Sequence, residues 1–205
     1  MAKSNGNEMI KLGGILFAIT AIVALLLGGV NVITAPAIAA NDQAKLESAL
    51  AVLVPDTEAS ENLLTEAKTY DGAPNGATAV SAIYEMKSGD ETKGYCVQVA
   101  PNGFGGAISM LVGISSADQT VTGIQILSMA ETPGLGANAS DPEWQAQFAG
   151  KAADGSLEVI KNATAEGKIT AITGSTITSK AVVTGVNAVV TGVNAAVAAV
   201  NEYAG

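Results

Sequence analysis

Two stretches, AVSAIYEMKSGDETKGYCVQV (residues 79–99) and ISMLVGISSADQTVTGIQILS (residues 108–128), decide the fold of this chain. Each contains two apolar, β-branched runs that flank a polar turn, at residues 88–90 in the first and 116–119 in the second. This pattern predicts two β-hairpins. Because the apolar runs are nearly continuous, both faces of the resulting sheet are expected to be covered. The strands are expected over residues 79–87, 94–99, 108–115 and 120–128.

The segment that precedes these strands has a helical pattern. Residues 41–54 carry leucines at helical spacing; Asn41 or Asp42 could cap this helix and Pro55 should stop it. Residues 58–67 could add a further helical turn or two. The glycines and the proline of residues 70–78 predict a loop.

The C-terminal part is predicted to contain a short helix, a short strand and a long helix. Residues 141–148 begin with Asp-Pro, which is typical of a capped helix start. Residues 169–172 form the expected strand, and the long helix covers residues 176–203. This helix contains V-V-T-G-V-N-A twice, at 182–188 and 189–195, which places valines seven residues apart on one face.

An apolar run near the N-terminus is long enough to cross a bilayer. Residues 12–30 contain one polar side chain, Thr20, and a membrane core requires about 20 helical residues. Pro36 is expected to end this helix or to begin the segment outside the membrane. Lysines precede the run, so the positive-inside rule places the N-terminus in the cytoplasm. The expected parts are a cytoplasmic N-terminus over 1–11, a transmembrane helix over 12–35 and an extracytoplasmic domain over 36–205.

A cleaved signal peptide is the competing interpretation of this segment. Ala37, Ala39 and Ala40 resemble the small residues of a cleavage site. However, signal peptides have an apolar core of about 7–15 residues, and this run is longer. A retained anchor is therefore favoured.

The composition excludes several kinds of redox and catalytic site. The chain has no histidine, and its ten basic residues are all lysines. A histidine triad, a histidine zinc site and a bis-histidine haem are therefore impossible within the chain. The single cysteine, Cys96, cannot hold an iron–sulfur cluster and is expected to be buried in its strand. A net charge of −9 argues against nucleic-acid binding, so redox chemistry would need an organic cofactor or a partner.

The segment T-G-S-T-I-T-S at residues 173–179 lies between the last strand and the long helix. Gly174 permits a tight turn, and the free N–H groups at the helix start favour an anion. Thr178 and Ser179 add hydroxyl groups, and Lys180 adds a cation. These residues could form a phosphate cradle, although hydroxyl side chains at a helix start are more often simple caps.

Three ordered segments carry a family resemblance. T-G-S-T-I-T at 173–178 resembles the flavinylation motif of the covalent FMN-binding domain family. E-T-P-G-L-G at 131–136 resembles the family's second signature, and G-F-G-G at 103–106 also fits its pattern. With the N-terminal anchor, nearly the whole chain is similar to the G subunits of Rnf electron-transport complexes. It is similar, more distantly, to the C subunits of sodium-pumping NADH:quinone oxidoreductases, which are usually longer.

This resemblance implies a specific cofactor site in an α+β fold. FMN would be linked through its phosphate to the hydroxyl of Thr178 by a separate magnesium-dependent flavin transferase that uses FAD. Trp144 either packs near the flavin or anchors the core. The motif residues implied to surround Thr178 are Thr173, Gly174, Ser175, Thr176 and Ser179. Those implied to line the flavin ring are Glu131, Thr132, Gly134, Leu135 and Gly136.

The same resemblance implies a role as an electron-carrying subunit without catalysis of its own. Electrons would flow between ferredoxin and NAD, coupled to sodium or proton translocation. The implied partners are membrane subunits of an Rnf-type complex, including an FMN-bearing subunit and iron–sulfur subunits. Two alternatives remain: a stand-alone anchored flavodomain that serves an extracytoplasmic reductase, and a non-redox interaction module whose T-G-S-T-I-T is only a cap.

Overall fold

The structure of this protein is a computed structural model. The chain forms two compact units, Met1–Ala44 and Lys45–Gly205. Most of the loop expected at 70–78 and part of the segment 58–67 lie outside the described residues. The described residues are 6–60, 62–63, 68–70, 78–161 and 167–203.

The first helix, α1, covers Gly6–Leu53. Its apolar part is unburied and, among the described residues, it is the one helix long and apolar enough to cross a membrane. The expectation that Pro36 ends this helix was wrong, because α1 continues through Pro36. A proline removes one backbone hydrogen bond, and the alanines that follow it, Ala37, Ala39 and Ala40, favour helix strongly enough to tolerate that loss. Because α1 continues through this region, Asn41 and Asp42 lie inside the helix and not at the start of a separate one.

Within the residues that the structure describes, the main sheet has six strands, all paired antiparallel. Both predicted hairpins are confirmed, since β3 pairs with β4 and β5 with β6. The strand order is β1-β3-β4-β5-β6, and β2 also pairs with β3. The strands are β1 (Glu58–Ala59), β2 (Lys68–Tyr70), β3 (Thr78–Ser88), β4 (Glu91–Ala100), β5 (Ser109–Ser115) and β6 (Val121–Ser128).

The expectation of further helical turns after residue 58 was wrong where the structure describes that segment. Glu58 and Ala59 pair with Lys87 and Met86 at the end of β3. Backbone pairing with an existing strand outweighs the weak helix propensity of so short a segment.

The short helix, the strand near residue 170 and the long helix agree with the expected elements, whereas the strand Glu158–Ile160 and the first 3₁₀ turn were not predicted. Asp141 accepts a hydrogen bond from the Glu143 backbone N–H at 2.9 Å and caps the short helix α2, Pro142–Gln145. One 3₁₀ turn, Gly136–Ser140, precedes α2, and another, Ala146–Phe148, follows it. The last elements are the parallel strands β7 (Glu158–Ile160) and β8 (Lys168–Thr170), and the long helix α3 (Thr176–Tyr203).

Both faces of the main sheet are covered, as the apolar runs predict. Because strand side chains alternate between faces, Val97 and Val112 contribute to the core on one side, and Cys96 and Leu111 to the core on the other. Valines of α3 complete the first core: Val182, Val186 and Val189. The last turns of α1 and the residue after it complete the second: Ala49, Leu50, Leu53 and Val54. The fold is α+β.

Candidate functional site

The turn that joins β8 to α3 is held by its own backbone. The Ser175 N–H donates to the Ile172 carbonyl at 3.0 Å, which closes a tight turn. Gly174 has φ +76° in this turn, a conformation that side-chain-bearing residues rarely adopt. The glycine of T-G-S-T-I-T thus lets the chain turn directly from the strand into the helix.

Ser179 braces this turn from within the first turn of α3. Its side chain is fully buried, and Oγ accepts from the Ile172 N–H at 2.9 Å and donates to the Ser175 carbonyl at 2.9 Å. The hydroxyl proton is therefore committed to the turn. In this structure Ser179 orients the loop that carries Thr178.

Thr178 points inward and meets a carboxylate. Its side chain is only 1% exposed, and Oγ1 donates a hydrogen bond to Oε2 of Glu131 at 2.7 Å. The other oxygen of Glu131 accepts from the Gly105 N–H at 2.8 Å. A single carboxylate thereby connects the three segments 103–106, 131–136 and 173–178.

Two glycines make room for this carboxylate. A β-carbon on Gly103 would collide with Oε1 of Glu131, and one on Gly136 would collide with Oε2. The β-carbon on Gly136 would also lie 2.7 Å from Oγ1 of Thr178. These glycines are thus required by close packing, and neither has a positive φ.

The segment 131–136 covers the hydroxyl of Thr178 as a compact loop. The N–H groups of Leu135 and Ala137 both donate to the carbonyl of Thr132, at 3.1 and 3.2 Å. Gly134 has φ +76° and open space around it. Leu135 reaches the neighbouring turn, since its Cδ2 is 3.1 Å from the position of a β-carbon on Gly174. The loop therefore contacts the turn that carries Thr178.

Three exposed apolar side chains belong to the segments that meet at the buried Thr178–Glu131 pair. Phe104 is 73% exposed, Ile177 52% and Leu135 44%. Phe104 is flanked by the two glycines that pack on the 130–131 backbone and side chain, and Ile177 precedes Thr178. Sequence reasoning missed Phe104 and Ile177 as site residues, although a large apolar residue between glycines in G-F-G-G is a usable signal for an exposed contact.

The other residues considered from sequence lie elsewhere. Trp144 is a core anchor, because its Nε1–H donates to the Thr170 carbonyl at 2.8 Å and its ring packs edge-on against Phe148 at 5.3 Å. Cys96 is buried in the sheet, and burial raises the pKa of its thiol to about 12. Within the described part of the chain, no group of three or more acidic or cysteine side chains could hold a metal ion.

The remaining predicted residues lie in the same region and differ in their exposure. Thr173 is exposed and Thr176 is half-buried, while Ser175 is buried beneath the turn. Thr132 is exposed in the covering loop. The structure thus brings all three motif segments together.

The groups at this site suit a phosphate monoester that is joined to a flat ring. Thr178 provides an alcohol for a phosphoester, and the start of the 28-residue helix α3 provides N–H groups. The exposed side chains of Phe104, Leu135 and Ile177 provide an apolar surface for a ring. One condition follows from the burial of Thr178: the covering loop must move before any phosphate reaches its hydroxyl. A phosphoester at Oγ1 also abolishes the hydrogen bond to Glu131.

Comparison with known proteins assigns the two parts of the chain. Residues 103–191 match the FMN-binding domain family, and residues 1–53 match the RnfG N-terminal region. The chain is 40% identical, over 86% of its length and 87% of the relative's, to the G subunit of the Na(+)-translocating ferredoxin:NAD(+) oxidoreductase complex of Acetobacterium woodii. It is 35% identical, over 75% and 74%, to the G subunit of the ion-translocating oxidoreductase complex of Vibrio vulnificus.

A solved structure shows the same fold. NqrC of Shewanella oneidensis superposes with a TM-score of 0.50 at 18% identity, over 67% of this chain and 65% of that one. The resemblance drawn from the three motif segments is therefore confirmed at the level of the family. The chain belongs to the family of the G subunits of Rnf-type ion-translocating oxidoreductase complexes.

Proposed function

We propose that this protein is a membrane-anchored electron carrier whose FMN is attached to Thr178 through a phosphoester. The observation that carries the proposal is the position of the Thr178 hydroxyl. It lies where the segments 103–106, 131–136 and 173–178 converge, inside the part of the chain that matches the FMN-binding domain family. Bound in this way, FMN can exchange one or two electrons, because a phosphoester leaves the isoalloxazine ring unaltered.

The chain's own residues would hold the cofactor in two ways. The N–H groups at the start of α3 and the turn at Gly174 favour the anionic phosphate. Phe104, Leu135 and Ile177, all exposed and apolar, offer contact surface to the flat ring. A covalent link also prevents loss of the cofactor on the outer side of a membrane, where the positive-inside rule places this domain.

The proposed context is an Rnf-type complex that moves electrons between ferredoxin and NAD. The Acetobacterium woodii relative is named for such a complex that translocates sodium. A relative from Clostridium ljungdahlii, 46% identical over half of this chain, is named for a proton-translocating one. We therefore assign ion translocation to the complex without choosing the ion. The proposed partners are an FMN-bearing membrane subunit, iron–sulfur subunits and, during maturation, a flavin transferase.

Mass spectrometry of the full chain, expressed with a flavin transferase, tests the attachment. A phosphoester-linked FMN adds about 438 Da, the mass of FMN less water. Thr178→Ala should abolish this addition because the attacking hydroxyl is gone, while Thr120→Ala, on a half-buried residue outside the three motif segments, should retain it. Added flavin mass in Thr178→Ala would refute the assignment.

Affinity purification from native membranes separates the complex from the alternative of a stand-alone anchored flavodomain. Subunits with iron–sulfur clusters and a second covalent flavin should co-purify with the tagged chain. Recovery of the chain with an extracytoplasmic reductase domain, and without such subunits, would favour the alternative.

A further inference from the structure

We propose that Glu131 accepts the proton of the Thr178 hydroxyl while FMN is being attached. This inference rests on the proposed attachment at Thr178. Its starting point is the contact between Oε2 of Glu131 and Oγ1 of Thr178, at 2.7 Å. That distance lies within the range of about 2.6–3.2 Å required of a general base and its proton.

The carboxylate is held in place before any reaction. Its second oxygen accepts from the Gly105 N–H at 2.8 Å, and Gly103 packs against that oxygen. Gly105 itself approaches the Ala130 carbonyl so closely that a β-carbon there would collide with it. Glu131 is 8% exposed, so water competes little for Oε2. The orientation of the proton acceptor is therefore built into the fold.

The chemistry balances with FAD as the flavin donor. Oγ1 of Thr178 forms a bond to the phosphorus that carries riboflavin, and the bond from that phosphorus to the bridging oxygen breaks. AMP leaves with this oxygen, and the hydroxyl proton passes to Glu131. No atom is oxidised or reduced. A carboxylate that accepts the proton of an attacking hydroxyl is also the arrangement of protein kinases.

Proton transfer to Glu131 solves a second problem of this site. The new phosphodiester is anionic, and two negative charges at hydrogen-bond distance repel each other strongly where water is excluded. Protonation neutralises the carboxylate as the anion forms next to it. The chain contains no histidine that could take this role.

Access to the hydroxyl requires the covering loop to move while Glu131 stays in place. Gly136 lies next to Oγ1 of Thr178, whereas residues 132–135 are exposed, and Leu135 approaches the turn at Gly174. Glu131 is anchored at the base of this loop by the Gly105 N–H. Displacement of residues 134–136 would thus open the hydroxyl without releasing its proton acceptor.

Single-turnover flavinylation of the full-length chain in detergent tests the inference. The unmodified protein is mixed with excess flavin transferase, Mg²⁺ and saturating FAD, and the gain of flavin mass is followed with time. Glu131→Gln keeps the shape of the side chain but cannot accept a proton, so the rate should fall by about 10²–10⁴-fold. Half-saturation by the transferase should change by less than about threefold. Glu143→Gln, the same change on an exposed residue of α2, should react at the wild-type rate.

A pH profile distinguishes proton acceptance from a structural role. As pH rises from 7 to 9, hydroxide can replace the missing base, so the ratio of the wild-type rate to the Glu131→Gln rate should fall by up to about tenfold per pH unit. Glu131→Asp retains a carboxylate on a shorter arm. It should react at a reduced rate whose ratio to the wild-type rate does not depend on pH.

Three outcomes would overturn the inference: a Glu131→Gln rate within about threefold of wild type, a ratio that stays constant with pH, or an Asp variant that reacts as fast as wild type. If the melting curve shows that Glu131→Gln does not fold, the flavinylation rate of Glu131→Asp still tests the inference. A wild-type chain that gains no flavin at Thr178 would refute the proposed function itself, whereas normal flavinylation of both wild type and Glu131→Gln would refute only the role of Glu131.

Discussion

Gly136→Ala should destabilise the domain and block flavin attachment, although it adds only one methyl group. The β-carbon would lie 2.7 Å from Oγ1 of Thr178, 2.9 Å from Cβ of Glu131 and closer still to Oε2 of Glu131. None of these atoms is the far end of a free side chain, since Oγ1 and Oε2 are hydrogen-bonded to each other. The hydrogen bond must therefore break or the loop must lift.

The expected loss has two parts. Inserting a methyl group into packed surroundings costs about 1–3 kcal/mol. Losing a hydrogen bond to a charged group costs about 1.5–3 kcal/mol. Together they predict a loss of about 2.5–6 kcal/mol, and for a domain of this size each kcal/mol lowers the melting temperature by about 2–4 °C. We expect the melting temperature of the unmodified protein to fall by about 10 °C.

Gly134→Ala is the matched control in the same loop. Gly134 has φ +76° with open space around it, so the added methyl group meets only backbone strain of about 1–2 kcal/mol. Thermal melting followed by circular dichroism measures both variants, and mass spectrometry measures their flavin. A Gly136→Ala protein that melts within about 2 °C of wild type, or above Gly134→Ala, would show that the contact of Gly136 with Glu131 and Thr178 is wrong.

Two further predictions concern buried polar groups of the domain. Ser179→Ala removes the hydrogen bonds to the Ile172 N–H and the Ser175 carbonyl, so the free energy of unfolding in urea should fall by about 1–3 kcal/mol. A loss below about 0.5 kcal/mol is the size expected at a neutral surface site, and it would show that Ser179 does not stabilise the turn. For Cys96, burial raises the thiol pKa from 9.0 to about 12, so the native thiol should resist alkylation at pH 8 and react on unfolding. Because the pKa of the thiol is higher in the folded protein than in the unfolded protein, the protonated thiol stabilises the fold fully below pH 9. This stabilisation is lost as pH rises toward 12. Cys96→Ala should therefore lose less stability than wild type between those pH values, and an equal loss would count against this burial.

The hairpins could be predicted because their signals are local. Turn residues at 88–90 and 116–119 stand between β-branched runs, and hairpin pairing follows from them directly. The continuation of α1 through Pro36 could not be predicted from local signals, because a proline weakens a helix but does not always end it. The strand at Glu58 was also hidden, since its structure comes from a partner strand almost thirty residues away.

The candidate site shows the same division. The tight turn at Gly174 and the start of α3 follow from neighbouring residues, so T-G-S-T-I-T indicates a possible site from sequence. The bond between Thr178 and Glu131 joins residues 47 positions apart, and only the packing of the two loops creates it. The place of Ser179 in the motif predicts a cofactor residue, whereas its buried hydrogen bonds support the turn.

The close approach of Gly103 and Gly136 to one carboxylate has a consequence for how this protein can diverge. While Glu131 is present, a side chain at either glycine collides with one of its oxygens. A shorter residue at 131 would remove the shortest of these contacts, while a β-carbon on Gly136 would still lie 2.7 Å from Oγ1 of Thr178 and one on Gly103 would still lie 2.8 Å from Cδ1 of Ile108. The three positions are therefore epistatic: a side chain at either glycine costs more while Glu131 is present than after residue 131 has been shortened, and that shortening forfeits the acidic neighbour of Thr178.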